Sequence, residues 1–196
     1  MPKPTPTLRP APDAAALHAA ALTHLARYAA TQAGLTQILL RKIDRWARLA
    51  TDLLPPDAID SARATARAAI PAIIARLAET GAVSDTNFAE SRARSLARAG
   101  RSRRAISAHL AARGIPQPLA TAALPTTTHH ELAAALIHAR KRRLGPWSKT
   151  PPSPQATRRA LASLARAGFA QSTATTALGM DPDEAEAIII AFRKEI

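Results

Sequence analysis

The chain carries an internal repeat, and that repeat restricts its possible folds more than any other feature. Residues 110–124 and 164–178 align at an offset of 54 with eight identities in fifteen positions, among them Leu110/Leu164, Gly114/Gly168, Gln117/Gln171 and Leu124/Leu178. Each copy reads as the end of a helix, a glycine stop and a short second helix. Leu77 and Gly81 echo the Leu and Gly spacing. A unit this small cannot bury its apolar face alone, so copies must stack on neighbours.

The rest of the sequence agrees with helices. Aromatic residues make up only 3% of the 196 residues, and only 7 glycines are present. The core must therefore rest on Ala, Leu and Ile, which suits close-packed helices rather than a sheet of aromatic and β-branched strands. Apolar periodicity, punctuated by Pro and Gly, predicts helices over 14–31, with Leu17, Ala21, Leu25 and Tyr28 on one side, and over 36–51, capped by Thr36. A third runs over 57–81, with Pro71 as a kink or break. Ser84 or Asp85 caps a helix over 86–99 that Gly100 stops, and Ser102 caps another that ends at Gly114. Further helices are expected over 118–124, closed by Pro125, and over 128–144, 154–167, 171–178 and 182–195, with a Pro-rich loop at 145–154. Five segments result: a disordered Pro/Thr-rich tail (1–13), a first helical module with an extended third helix (14–82), a second three-helix module (83–126), a third (127–180) and a C-terminal helix (181–196).

Several chemistries are excluded. Cysteine is absent, which removes disulfides, thiolate metal sites and cysteine nucleophiles and fits a cytoplasmic setting. No Gly-rich phosphate loop occurs, and neither a nucleophile elbow nor a Ser/His/Asp grouping is present. His129-His130-Glu131 resembles the start of a zinc-protease motif, but the second histidine would fall at 134, which is Ala134; His138 offers no third ligand. Neither a secretory leader nor an apolar run of about 20 residues is found, so no membrane span is expected. The chain is read as having no cofactor, no metal and no catalytic residue.

Charge is the remaining signal. The net charge is +13. Residues 90–166 alone carry fifteen basic and two acidic side chains, whereas residues 167–196 are net acidic. Arg outnumbers Lys 22 to 5, a bias expected of a GC-rich genome, but that bias does not remove acidic residues from one stretch. Arg94, Arg98 and Arg101 project within about 60° of one another at ~100° per residue, opposite Ala89, Ala93, Leu96 and Gly100. Arg92, Arg103, Arg104, Arg113, Arg140, Lys141, Arg142, Arg143, Arg158 and Arg159 add to the same region, and together they form the candidate surface for an acidic partner. Exposed helix faces usually mix both signs, so a strip of one sign points to function rather than solvation. The aromatics do not interleave with this strip; Phe88 and Phe169 read as core anchors.

The run Val83-Ser84-Asp85-Thr86-Asn87-Phe88-Ala89-Glu90-Ser91-Arg92, then Gly100-Arg101-Ser102-Arg103-Arg104-Ala105-Ile106 and Leu110-Ala111-Ala112-Arg113-Gly114-Ile115, resembles the central module of the RecX family of regulatory proteins. Ser84 stands where that family has the first of two aspartates, and 158–169 resembles its third module. The resemblance implies an all-α, elongated tandem array of three-helix, helix-turn-helix-like modules. It further implies a monomer that binds the RecA recombinase filament, touches single- or double-stranded DNA weakly, and inhibits the filament's ATPase, strand exchange and co-protease activities in recombination, DNA repair and the SOS response. Two other readings stay open from the residues: a sequence-tolerant helix-turn-helix DNA binder, and a basic helical adaptor for another acidic protein.

Overall fold

The computed structural model describes residues 10–124, 128–149, 151 and 153–195, and among them every regular element is helical. The expected tail lies mostly outside the described residues, as do Pro125 and the boundary at 126/127. The chain divides into two compact units, Met1–Phe88 and Ala89–Ile196.

In the first unit α1 (Ala14–Leu25) begins where Asp13 accepts a hydrogen bond from the Ala16 amide at 2.7 Å. It ends earlier than its periodicity predicts. The amides of Ala26, Arg27 and Tyr28 fold back onto the Leu22 and His24 carbonyls, and Tyr28, expected on the buried side, is 61% exposed. The cause is Thr31, whose buried hydroxyl accepts from the Gly34 amide at 2.9 Å and so opens α2 (Gln32–Ala50). Thr36, the expected cap, lies inside α2 and donates its hydroxyl to the Gln32 carbonyl. The second candidate signal, Asp85, accepts from the Gln32 amide at 2.8 Å, so a residue distant in sequence satisfies one of the unpaired donors at the start of α2.

The extended third helix is in fact two, α3 (Pro56–Ala68) and α4 (Ile70–Glu79). They are separated at Ala69, with Pro71 in the first turn of α4, where its missing amide proton leaves no hydrogen bond unmade. Leu17, Ala21, Leu35, Leu39, Ile43, Ala66, Ile70, Ile73, Ile74, Leu77 and Val83 form the core of the unit. Burying a Leu or Ile side chain contributes about 1.5–3 kcal/mol, so this cluster is what holds the four helices together. Trp46, Ala47, Ala50 and Ile59 make a smaller cluster between α2 and α3. Its rim is tied by Asp44, which accepts from Arg67 at 2.8 Å and from Arg63 at 3.3 Å.

The second unit begins within α5 (Asp85–Arg98) and continues through α6 (Arg103–Ala111), α7 (Gln117–Ala122), α8 (Thr128–Arg142), α9 (Pro154–Arg166), α10 (Gln171–Gly179) and α11 (Pro182–Glu195). The expected Pro-rich loop contains one 3-10 turn, Gly145–Trp147. The helix at its centre is α8. Ala133, Ala134, Ala135, Leu136, Ile137 and Ala139 are all buried, so it is enclosed on nearly every side, and α9, α10 and α11 pack on it. Its run of alanines lets those neighbours come close.

Both copies of the repeat have one local geometry. Gly114 and Gly168 have φ of 78° and 89°, and the amides of Ile115 and Phe169 reach back to the carbonyls of Leu110 and Leu164, at 3.1 Å in each case. Leu110, Leu164, Ile115 and Phe169 are buried. Only glycine enters this left-handed region without a steric cost, which is why the repeat keeps it. Among the described residues no helix is long and apolar enough to cross a membrane.

Candidate functional site

The arginine face of α5 is set by how the helix starts and stops. Ser84 caps it, accepting from the Asn87 amide at 3.2 Å. Gly100 ends it at φ 78°, with the Arg101 amide returning to the Leu96 carbonyl at 3.1 Å. Ala89, Ala93, Ala97 and Gly100 are buried, while Arg94, Arg98 and Arg101 are exposed. Gly100 sits against α8 so closely that a Cβ there would lie 2.7 Å from Ile137 Cγ2 and 3.0 Å from the His138 amide nitrogen. This close approach brings Arg101 to the C-terminal turn of α8, where Lys141 donates to the Ala99 carbonyl at 2.7 Å.

Three further bonds fix α6 beside these groups. Ser102, fully buried, accepts from the Ala105 amide at 3.2 Å and donates to the Ala167 carbonyl at 2.6 Å. Glu131 accepts from the Arg103 amide at 3.0 Å. Ser102 and Glu131 thus cap the same helix from two sides, and they bind the second module of the sequence to elements of the third. Burial pushes the Glu131 carboxyl up from its ordinary pKa despite the amide and charge of Arg103. The stem of Arg104 lies across Gly168, its Cβ 3.3 Å from where a Cβ at that glycine would stand.

Two histidines collect the cations. On α6, His109 Nε2 accepts a hydrogen bond from Arg92 Nε at 3.1 Å, which requires a neutral imidazole. Burial, then the charges of Arg92, Arg113 and Arg101, hold its pKa below the usual histidine value. On α8, His138 is half-buried and packs edge-on to Phe169, and burial, then Arg142, Arg101 and Lys141, lower its pKa as well. Arg101 is common to both groups. Sequence reasoning passed over His109 and considered His138 only as a ligand without company; neither has a local signal, because the groups that surround them come from other elements.

The other sequence-predicted residues fall into separate places. Arg94, Arg98, Arg104, Arg113, Lys141, Arg142 and Arg143 are exposed; α9 contributes exposed Arg158 and Arg159. Arg103 is half-buried beside its Glu131 cap. Arg140 does not join the open strip. Its Nη1 donates to both carboxylate oxygens of Glu186 at 2.6 and 2.8 Å, so the residue is used internally to join α8 to α11. The basic stretch is accordingly a surface from which Arg140 is withdrawn, and part of its charge acts on His109 and His138. His130, part of the failed zinc motif, meets Glu195 at 3.0 Å and the Phe192 ring. Among the described residues no three His, Asp or Glu side chains gather as a metal-binding group.

Residues 84–124, which hold α5, α6, α7 and His109, match a family model described as RecX, second three-helix domain. A regulatory protein RecX of Myxococcus xanthus is 37% identical over 169 residues, covering 85% of this chain and 86% of that protein. The chain belongs to the RecX family. A regulatory protein RecX of Agrobacterium fabrum is 36% identical over 108 residues, 55% of this chain and 58% of that one. The crystal structure of RecX from Lactobacillus salivarius aligns with a TM-score of 0.61 at 20% identity, over 89% of this chain and 97% of that one, and shares its fold. As in the RecX fold, the chain is a helical repeat of three-helix modules. The match to the second RecX module begins at Ser84, the residue that caps α5, and takes in the whole Arg94, Arg98 and Arg101 face.

Proposed function

We propose that this RecX-family chain binds the RecA filament on DNA as a cytoplasmic monomer and restrains its ATP hydrolysis, strand exchange and co-protease activity, with no chemistry of its own. The supporting observation is that the charges of Arg92, Arg113 and Arg101, all within the segment that matches the RecX second module, act on His109, while those of Arg142, Arg101 and Lys141 act on His138. Cations gathered in this way recruit a polyanion or an acidic protein surface, and a DNA filament coated with protein presents both. Bridging neighbouring subunits of the filament would then oppose the subunit motions that turnover requires.

The test is DNA-dependent ATP hydrolysis by the cognate RecA. Substoichiometric addition of this chain is expected to slow it, and an unchanged rate at saturating chain overturns the proposal. Replacing Arg94, Arg98 and Arg101 together by Glu is expected to leave helicity intact, because all three side chains are exposed, and to abolish co-sedimentation with the filament. Tight duplex binding without RecA, with a steep salt dependence, would favour an independent DNA binder instead.

A further inference from the structure

His109 serves as none of the helix caps described above, yet positive charge from both neighbouring segments acts on it. Arg92 reaches it from α5, and the charges of Arg113, in the turn that follows α6, and Arg101, in the turn after α5, act on the same ring. The hydrogen bond from Arg92 Nε occupies the imidazole nitrogen and directs a positively charged donor at a neutral ring. Such an arrangement holds arginine in place without neutralising it. The charges of Arg142, Arg101 and Lys141 also act on His138, so Arg101 is shared by the two cationic groups.

We propose that Arg92, His109, Arg101 and Arg113 form a seat for one backbone phosphodiester of DNA, and that Arg92 leaves the imidazole to bind it. This deepens the reading of the chain as a binder of nucleoprotein and rests on it. A DNA backbone fits better than an isolated carboxylate because three guanidinium charges act on this one ring, more than a single monoanion neutralises. The adjoining group at His138 suits the next charge of a polymer. Once the anion is seated, the repulsion that keeps His109 neutral is screened. The ring then takes a proton from solvent and donates from Nε2 towards the phosphate. Binding is thereby coupled to the uptake of one proton, and affinity rises as pH falls.

The experiment is a proton NMR titration of the histidines in the full chain, alone and saturated with a single-stranded oligothymidylate, with His109 assigned from the spectrum of His109→Gln. In the free chain His109 is expected to titrate below the usual histidine range, and with oligonucleotide its pKa is expected to rise. Between those two values the wild-type dissociation constant should fall by up to about tenfold per pH unit of acidification. His109→Gln, whose amide oxygen can still accept from Arg92, should lose the part of that dependence due to this ring. A His109 titration unchanged by bound oligothymidylate removes the seat while leaving the ATPase reading standing. An equal shift from polyglutamate overturns the phosphodiester assignment in favour of a protein carboxylate. A shift with inorganic phosphate but none with oligonucleotide, or no oligonucleotide binding at all, overturns it likewise. A chain that passes this titration but leaves RecA turnover unaffected keeps the phosphate seat and loses the filament role.

Discussion

Arg143 stands where this chain otherwise places glycine. The amides of Arg143 and Leu144 return to the carbonyls of Arg140 and Ala139, the pattern that closes the helices at Gly100, Gly114 and Gly168, yet its φ is 54°. A side chain in this left-handed region costs roughly 1 kcal/mol, and the cost persists only where the side chain serves another purpose. Arg143→Gly is expected to raise stability by about 1 kcal/mol in thermal or denaturant unfolding. If the exposed guanidinium is kept for an anionic partner, the same variant should bind the filament more weakly. Stability gained with binding unchanged would leave the residue without a functional account.

Between elements, the bonds that matter join residues far apart in sequence. Glu131 is the one acidic residue between Glu90 and Arg166, and the structure shows it closing the start of α6. Glu131→Ala should cost about 1 kcal/mol by leaving the Arg103 amide without its acceptor. Glu131→Gln should cost little near neutral pH, because its amide oxygen still accepts and no charge is buried; equal losses in the two variants would contradict this. The contrast explains which parts of the fold were legible. Gly100, Gly114 and Ser102 announce helix ends through local chemistry, and Pro182 starts α11 as its sequence predicts. Thr31, expected from the sequence at the end of the first helix, caps α2 in place of Thr36, and its hydroxyl is buried there. The helix expected over 128–144 is present as α8, but its central place was not legible, since its continuous burial leaves no single apolar face to read. The arginine face of α5 was legible because its members share one helix. The group around His109 was not, because Arg92, Arg101 and Arg113 act on it only after folding, and the removal of Arg140 by Glu186 depends on an acidic residue three helices further on, in α11.

For the molecule as a whole, acid sensitivity is the measurable sum of these environments. His109 and His138 both have folded pKa values below the ordinary 6.5, so the unfolded chain binds more protons in the window beneath it. Their contribution to stability is complete above about pH 6.5 and is lost as pH falls through the lowered values. Glu131 acts in the opposite sense, its raised pKa favouring the fold as pH drops towards 4.5. The melting temperature should therefore decline on acidification from pH 7, and less so in His109→Gln/His138→Gln; parallel curves for the two proteins would show that the histidines do not set it. The bonds from Ser102 to Ala167, Glu131 to Arg103 and Lys141 to Ala99 have a further consequence. These bonds join the second module of the sequence to elements of the third, so the block expected to melt together is offset from the repeat that the amino-acid text displays. Amide hydrogen exchange in α6 and α8 should consequently open with a common free energy, as if ancestry had written two copies and selection had fused them into one cooperative body.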